Sequence, residues 1–153
     1  MEEKIFTFKL NKLSHPLRRL IAKETNDSAI LAELAKDSDV KTREEVANNR
    51  HTSSDTLEKL SKCKELFVRL GVAQNENAPH SALANLAKDK ALMIRESVAN
   101  NPSTPPSVLC SLLDENESYR AACHIFNAVE SNPQASKEVL MKIISKLKDG
   151  FKY

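Results

Sequence analysis

A chain of 153 residues that is 41% hydrophobic and 29% charged is long enough for one domain or a short repeat array, and it can bury a core. Residues 1–24 carry six Lys/Arg against three acids and residues 132–153 five against two, so the overall +2 leaves the middle at −4, which argues against a nucleic-acid groove along the body. No apolar run approaches the ~20 residues that span a bilayer, and the two glycines sit in no phosphate-cradling motif.

In chain order, "MEEKIFTFKLNKL" has neither the apolar stretch nor the cleavage site of a secretory signal, so a cytoplasmic protein is expected. Residues 1–13 read as an N-terminal lid, extended or helical. "SHPLRRLIAKETNDSAILAELAKDSDV" follows as a worn repeat, with Ser14 as helix cap and Leu20 in the column that later holds valine. Three near-copies come next: "TREEVANNRHTSSDTLEKLSKCKELF", "VRLGVAQNENAPHSALANLAKDKALM" and "IRESVANNPSTPPSVLCSLLDENESY". Arg43, Arg69 and Arg95 recur at a constant step of 26, as do Val46, Val72 and Val98, then Asn49, Asn75 and Asn101. Leu31, Leu57, Leu83 and Leu109 keep the same step, and Leu34, Leu60, Leu86 and Leu112 lie three residues later. A fixed period of this length means a solenoid.

Each period holds two short helical patterns. The first is seen in "TPPSVLCSLLDE", where Thr104 is expected as N-cap, Pro105 in the first turn, and Val108, Leu109 and Leu112 on the apolar stripe. "TSSDTLEKLSK" repeats it, with Thr52 and Asp55 as an approximate capping box. The second is "DKALMIRESVANN", with Ile94, Val98 and Ala99 on one face. The asparagines after it stop the helix, since Asn tolerates the left-handed C-cap conformation and proline cannot continue. After Tyr119 the step becomes 31, because Val129, Asn132 and Pro133 match Val98, Asn101 and Pro102. The five added residues are expected to lengthen helix 116–131 by somewhat over one turn. "SKEVLMKIISKLKDG" closes the array with a Lys-rich outer face.

Two polar columns are assigned structural roles. Asn49, Asn75 and Asn101 are expected to cap helix ends and tie neighbouring loops together; a binding site is the alternative. Asp37 and Asp89 stand six residues before Arg43 and Arg95, so Arg43, Arg69 and Arg95 are expected to form an Asp–Arg ladder with acids of their own or the next repeat; ligand-binding arginines are the alternative. Cys63 replaces the acid in one copy and breaks that ladder.

These residues resemble the leucine-rich repeat variant family, whose pattern is close to Val-Arg-x-x-Val-Ala-x-Asn-Pro-x-Thr-Pro-x-x-x-Leu-x-x-Leu-Ala-x-Asp. "IRESVANNPSTPPSVLCSLLDE" and "VRLGVAQNENAPHSALANLAKD" match it best, and the resemblance covers roughly residues 27–115. It implies a right-handed superhelix of paired short helices, the second of each pair α or 3₁₀. The layout is also similar to HEAT-type repeats. The period of 26 against a family value of roughly 24 favours fuller α-helices. The family's cysteine-rich iron–sulfur segment has no counterpart here, so no cofactor is carried over.

The expected fold is therefore an all-α, right-handed α-solenoid of about five two-helix repeats with no β-sheet core. Its single domain divides into an N-terminal cap and worn helix (1–24), repeats (25–131), and a C-terminal capping helix and tail (132–153). On the second helices, Lys41, Phe67, Met93 and Tyr119 fall in one outward column and Glu44, Leu70 and Glu96 in the next, followed by Asn48, Gln74 and Asn100. Phe67, Leu70, Met93 and Tyr119 would make an apolar strip rimmed by Glu and Asn, suited to an adaptable protein partner; filling gaps between stacked repeats is the alternative. The function expected is a non-catalytic protein–protein interaction scaffold. A nucleic-acid binder is the alternative, although it needs a basic groove and aromatic side chains, and the chain has no Trp. No catalytic residue is assigned, because no Ser, His or Asp sits in a recognisable nucleophile setting, and His51 and His80 fall in or beside turns. No metal site is assigned either: Cys63, Cys110 and Cys123 read as free thiols, and the four histidines pair with none of them at ligand spacing. A homodimer through the 139–147 helix with Phe151 and Tyr153 is a further possibility at one end face.

Overall fold

The computed structural model describes Leu10, residues 12–114 and residues 119–148, except for the side chains of 119–121 and 147. Expectations for residues 1–9, Phe151, Tyr153 and the side chain of Tyr119 lie outside that description. Ten helices follow in order among these residues: α1 (His15–Glu24), α2 (Ser28–Leu34), α3 (Val40–Asn48), α4 (Ser54–Leu60), α5 (Leu66–Gln74), α6 (His80–Leu86), α7 (Leu92–Asn100), α8 (Pro106–Leu112), α9 (Tyr119–Ser131) and α10 (Lys137–Lys148). They contain no strand, and both helices of each repeat are α rather than 3₁₀. Helices of seven and nine residues are too short to persist alone in water, so stacking must hold them.

The closest packing runs from α1 to α3, α3 to α5, α5 to α7 and α7 to α9, which makes one layer of second helices. The even-numbered helices form the other layer, an arrangement consistent with a right-handed α-solenoid of helix pairs. The repeating columns fill the space between the layers. Leu31, Leu57, Leu83 and Leu109 are fully buried, as are Val46, Val72, Val98 and Val129, and all belong to one continuous cluster. Each such side chain contributes about 1.5–3 kcal/mol on leaving water. Small residues let the layer close up. At Gly71, an added Cβ would lie 2.9 Å from Ala47 Cβ and 2.8 Å from Asn48 Oδ1, so α5 approaches α3 more closely than a side chain there would allow.

The turns after the second helices are held by a buried ladder. Asn75 Nδ2 donates to Ala47 O (2.9 Å) and Asn49 O (3.0 Å) of the preceding repeat, while its Oδ1 accepts from Asn77 N (2.9 Å). Asn101 repeats this with Ala73 O and Asn75 O, and Asn132 with Ala99 O and Asn101 O. At the first rung, Asn49 reaches Ala22 O, Lys23 O and Thr25 O. Asn132 keeps this role across the longer last step, and α9 is 13 residues long where α3, α5 and α7 have nine.

Several local expectations are corrected. Asn49, Asn75 and Asn101 have φ near −75° and extended ψ, so the side-chain hydrogen bonds, not a left-handed conformation, select asparagine. Thr104 and Thr52 are not N-caps: each hydroxyl donates back to the carbonyl six residues earlier, Val98 and Val46, at 2.6 Å. The caps fall one residue on, at Pro105 and Ser53, and the Ser53 hydroxyl accepts from Thr56 N. Ser14 holds the N-cap position of α1 without a side-chain cap bond. Leu20 is 55% exposed and does not enter the valine column. The first step is one residue shorter than the regular 26, so Ala22 matches Ala47 and the partly buried Ile21 matches Val46. The outer face of α10 is mixed rather than Lys-rich, with Leu140, Met141 and Ile144 exposed beside Lys137 and Lys148.

Replacing Asn75 by Ala removes two buried amide donors and one acceptor, and the expected loss is about 3 kcal/mol by urea denaturation. Asn75→Asp should be at least as damaging at pH 7, where a carboxylate would face two carbonyl oxygens. Its deficit relative to wild type should shrink on acidification as the carboxyl gains a proton to donate.

Candidate functional site

The arginine column shows how each repeat is fastened to the next. Arg69 Nη1 donates to Cys63 O and Lys64 O of its own repeat, while Nε and Nη2 reach the Asp89 carboxylate of the following one at 2.6 and 3.4 Å. Arg43 ties its own repeat the same way through Asp37 O, and Arg95 through Asp89 O. Where Cys63 replaces the acid, Arg43 takes Glu65 instead, 2.9 Å away and two residues further along. The column also has a member that the regular step hides. Arg18, one position short of a full step before Arg43, is buried and pairs with Asp37 at 2.5 and 3.1 Å. Its neighbour Arg19 grips Asp39, the N-cap of α3, at 2.6 and 2.8 Å.

These pairs set the electrostatics. Burial raises the Asp37 and Asp89 carboxyls, but hydrogen bonds from Arg18 and Asp39 N–H, and from Arg69 and Ala91 N–H, outweigh it and hold both below their ordinary value. The Arg19 hydrogen bond, opposed by burial and helped by Thr42, holds Asp39 well below the carboxylate range. Burial lifts the Cys63 and Cys110 thiols above theirs, which disfavours reactive thiolates. Among the described residues no group of His, Cys, Asp and Glu side chains is placed to hold a metal ion, and no helix is long and apolar enough to cross a membrane.

The outward columns of the second helices remain as the candidate site. Phe67 is 52% and Met93 43% exposed, whereas Val68, Val72, Ile94 and Val98 on the same helices are fully buried. Leu70 is half-buried and packs against the core. Lys41 lies 5.6 Å from the centre of the Phe67 ring and pairs with Glu44 at 2.8 Å. In α9 His124 stands 31 residues after Met93, the same step that separates Asn132 from Asn101, and its Nδ1 lies 3.5 Å from Glu96. On this face Lys41 is thus paired with Glu44, and Glu96 meets His124. Where α3 and α5 end, a cleft of about 490 Å³ opens between Asn48, Arg50 and His51 on one side and Gln74, Glu76 and Asn77 on the other.

Comparison with protein-family models, curated proteins and solved structures returns no match to this chain.

Acid should weaken the array in a defined window. Because the folded values of Asp37, Asp39 and Asp89 are depressed, their contribution is complete above the ordinary 3.8 and is lost as pH falls through the folded values. Urea denaturation at stepped pH should show a plateau at pH 5–7 and a decline below about pH 4. Asp37→Asn, which leaves Arg18 buried without its charge, is expected to lose about 3 kcal/mol at pH 7 and to show a shallower acid decline.

Proposed function

We propose that this chain is a non-catalytic scaffold of the leucine-rich repeat variant type that binds another protein, in the cytoplasm, on the outward face of its second helices. The observation that carries this is the exposure of Phe67 and Met93 at equivalent positions of neighbouring helices, on elements whose other large apolar side chains are buried or half-buried. Large apolar groups left in water at the centre of a charged rim favour an interface. Met93 adds adaptability, and Lys41 and Glu96 contribute charges that set orientation more than affinity. The buried asparagines and the arginine column, by contrast, join repeats to one another.

The test is capture of partners from lysate by the wild type and by the double variant Phe67→Ser/Met93→Ser. The expected result is a loss of affinity for the captured protein of roughly thirtyfold, the effect of about 2 kcal/mol, with an unchanged helical circular-dichroism spectrum. Capture of the same protein at full strength by the variant removes this face from consideration.

A further inference from the structure

We infer that the face grips an extended peptide by its main chain, with one large apolar side chain of that peptide seated against Phe67, Leu70 and Met93; this rests on the protein-binding role proposed above. The repeats end their second helices on two consecutive amide side chains, Asn48-Asn49, Gln74-Asn75 and Asn100-Asn101. The second of each pair is buried in the ladder, and the first points outward and is exposed. Among the described residues the Asn48 and Gln74 carboxamides hydrogen-bond to no protein group. Both border the cleft of about 490 Å³. Asn100 Nδ2 is taken up by Glu96 O at 3.0 Å, which leaves its Oδ1 as acceptor.

A carboxamide presents a donor and an acceptor side by side, the same pair that a peptide group presents. A column of such groups therefore matches a main chain whatever its sequence, where a column of charges would select an opposite charge. Neighbouring packed helices lie roughly 8–10 Å apart, about the length of three extended residues, so successive amides can meet successive stretches of one strand. A helical ligand could not use them, because its N–H and C=O groups are already paired internally. The cation beside the strip, Lys41, is already paired with Glu44, and Glu96 adds an acid facing His124, so the strip does not favour a phosphate backbone or an anionic lipid surface. Selectivity then falls to the apolar strip, which takes one Leu-, Met- or Phe-sized anchor flanked by uncharged residues.

The experiment selects linear displayed peptides of roughly twelve residues, enough to cross the array, on the whole protein. The best clone is then labelled for anisotropy titration. Expected are an apolar central residue, about tenfold weaker binding to both Asn48→Ala/Gln74→Ala and Phe67→Ser/Met93→Ser, and loss of binding when the peptide backbone is N-methylated beside the anchor. The melting temperature of Asn48→Ala/Gln74→Ala should be unchanged, since neither side chain bonds within the protein. Full affinity for the amide variant with loss on the apolar one overturns the main-chain grip and leaves the partner-binding face standing. Full affinity for both variants overturns the face as well. A selection yielding no clone, or only peptides that bind as helices, also counts against the inference.

Discussion

A buried carboxamide in each turn holds this array together. Short stacked helices leave a difficult remainder: the last carbonyls of every second helix have no partner within it, and the next repeat covers them from water. An unpaired carbonyl there would cost about 1–3 kcal/mol, a large fraction of a small domain's stability. Asn49, Asn75, Asn101 and Asn132 each fill that place with two donor hydrogens, and each turns its oxygen to the amide two residues on. No other neutral side chain of this length brings donors and an acceptor to one point. The apolar columns supply most of the energy, but leucine and valine are tolerant of sliding. Directional bonds fix where each turn sits on the one before.

The arginines act on the same joint from the other edge. Arg18, Arg43 and Arg69 each hold a carbonyl in their own half of the joint and an acid in the next half. The substitution at Cys63 shows that the requirement is for charge in reach, not for one column: Glu65 satisfies Arg43 from a different position. With these groups engaged inward, the second helices are left to present Phe67, Met93 and the free amides without weakening the stack. The division of labour between consecutive side chains, one bonding within the protein and one facing out, lets binding residues vary without unfolding the array.

Much of the architecture was legible because a solenoid writes its spacing into the chain. The recurrence of Leu31, Leu57, Leu83 and Leu109 needed only counting, and the longer step before Asn132 was visible for the same reason. What counting could not reveal was anything depending on direction or on a slip of one residue. Arg18 was hidden by such a slip, which also put Leu20 into solvent and Ile21 in its place. Thr104 resembles an N-cap in sequence, and only the fold shows its hydroxyl turned backwards to Val98. The asparagines looked suited to a left-handed cap, whereas their backbones are extended and their side chains carry the reason for their presence. On the candidate face, the exposure of Phe67 could be anticipated from helical phase. Lys41 shares that column and does lie over its ring, whereas the place His124 takes beside Glu96 depends on how helices stack across the longer last step.

The ladder also has a polarity. Every asparagine donates toward the repeat that precedes it, and every bridging acid docks onto an arginine that precedes it. A ribosome delivers the chain in that same order. Each emerging turn thus meets acceptors and guanidinium groups already in place, while its own last carbonyls and arginine wait for the repeat that follows. Assembly can advance like a zip closing from the amino end, with only the newest coil awaiting its fastening.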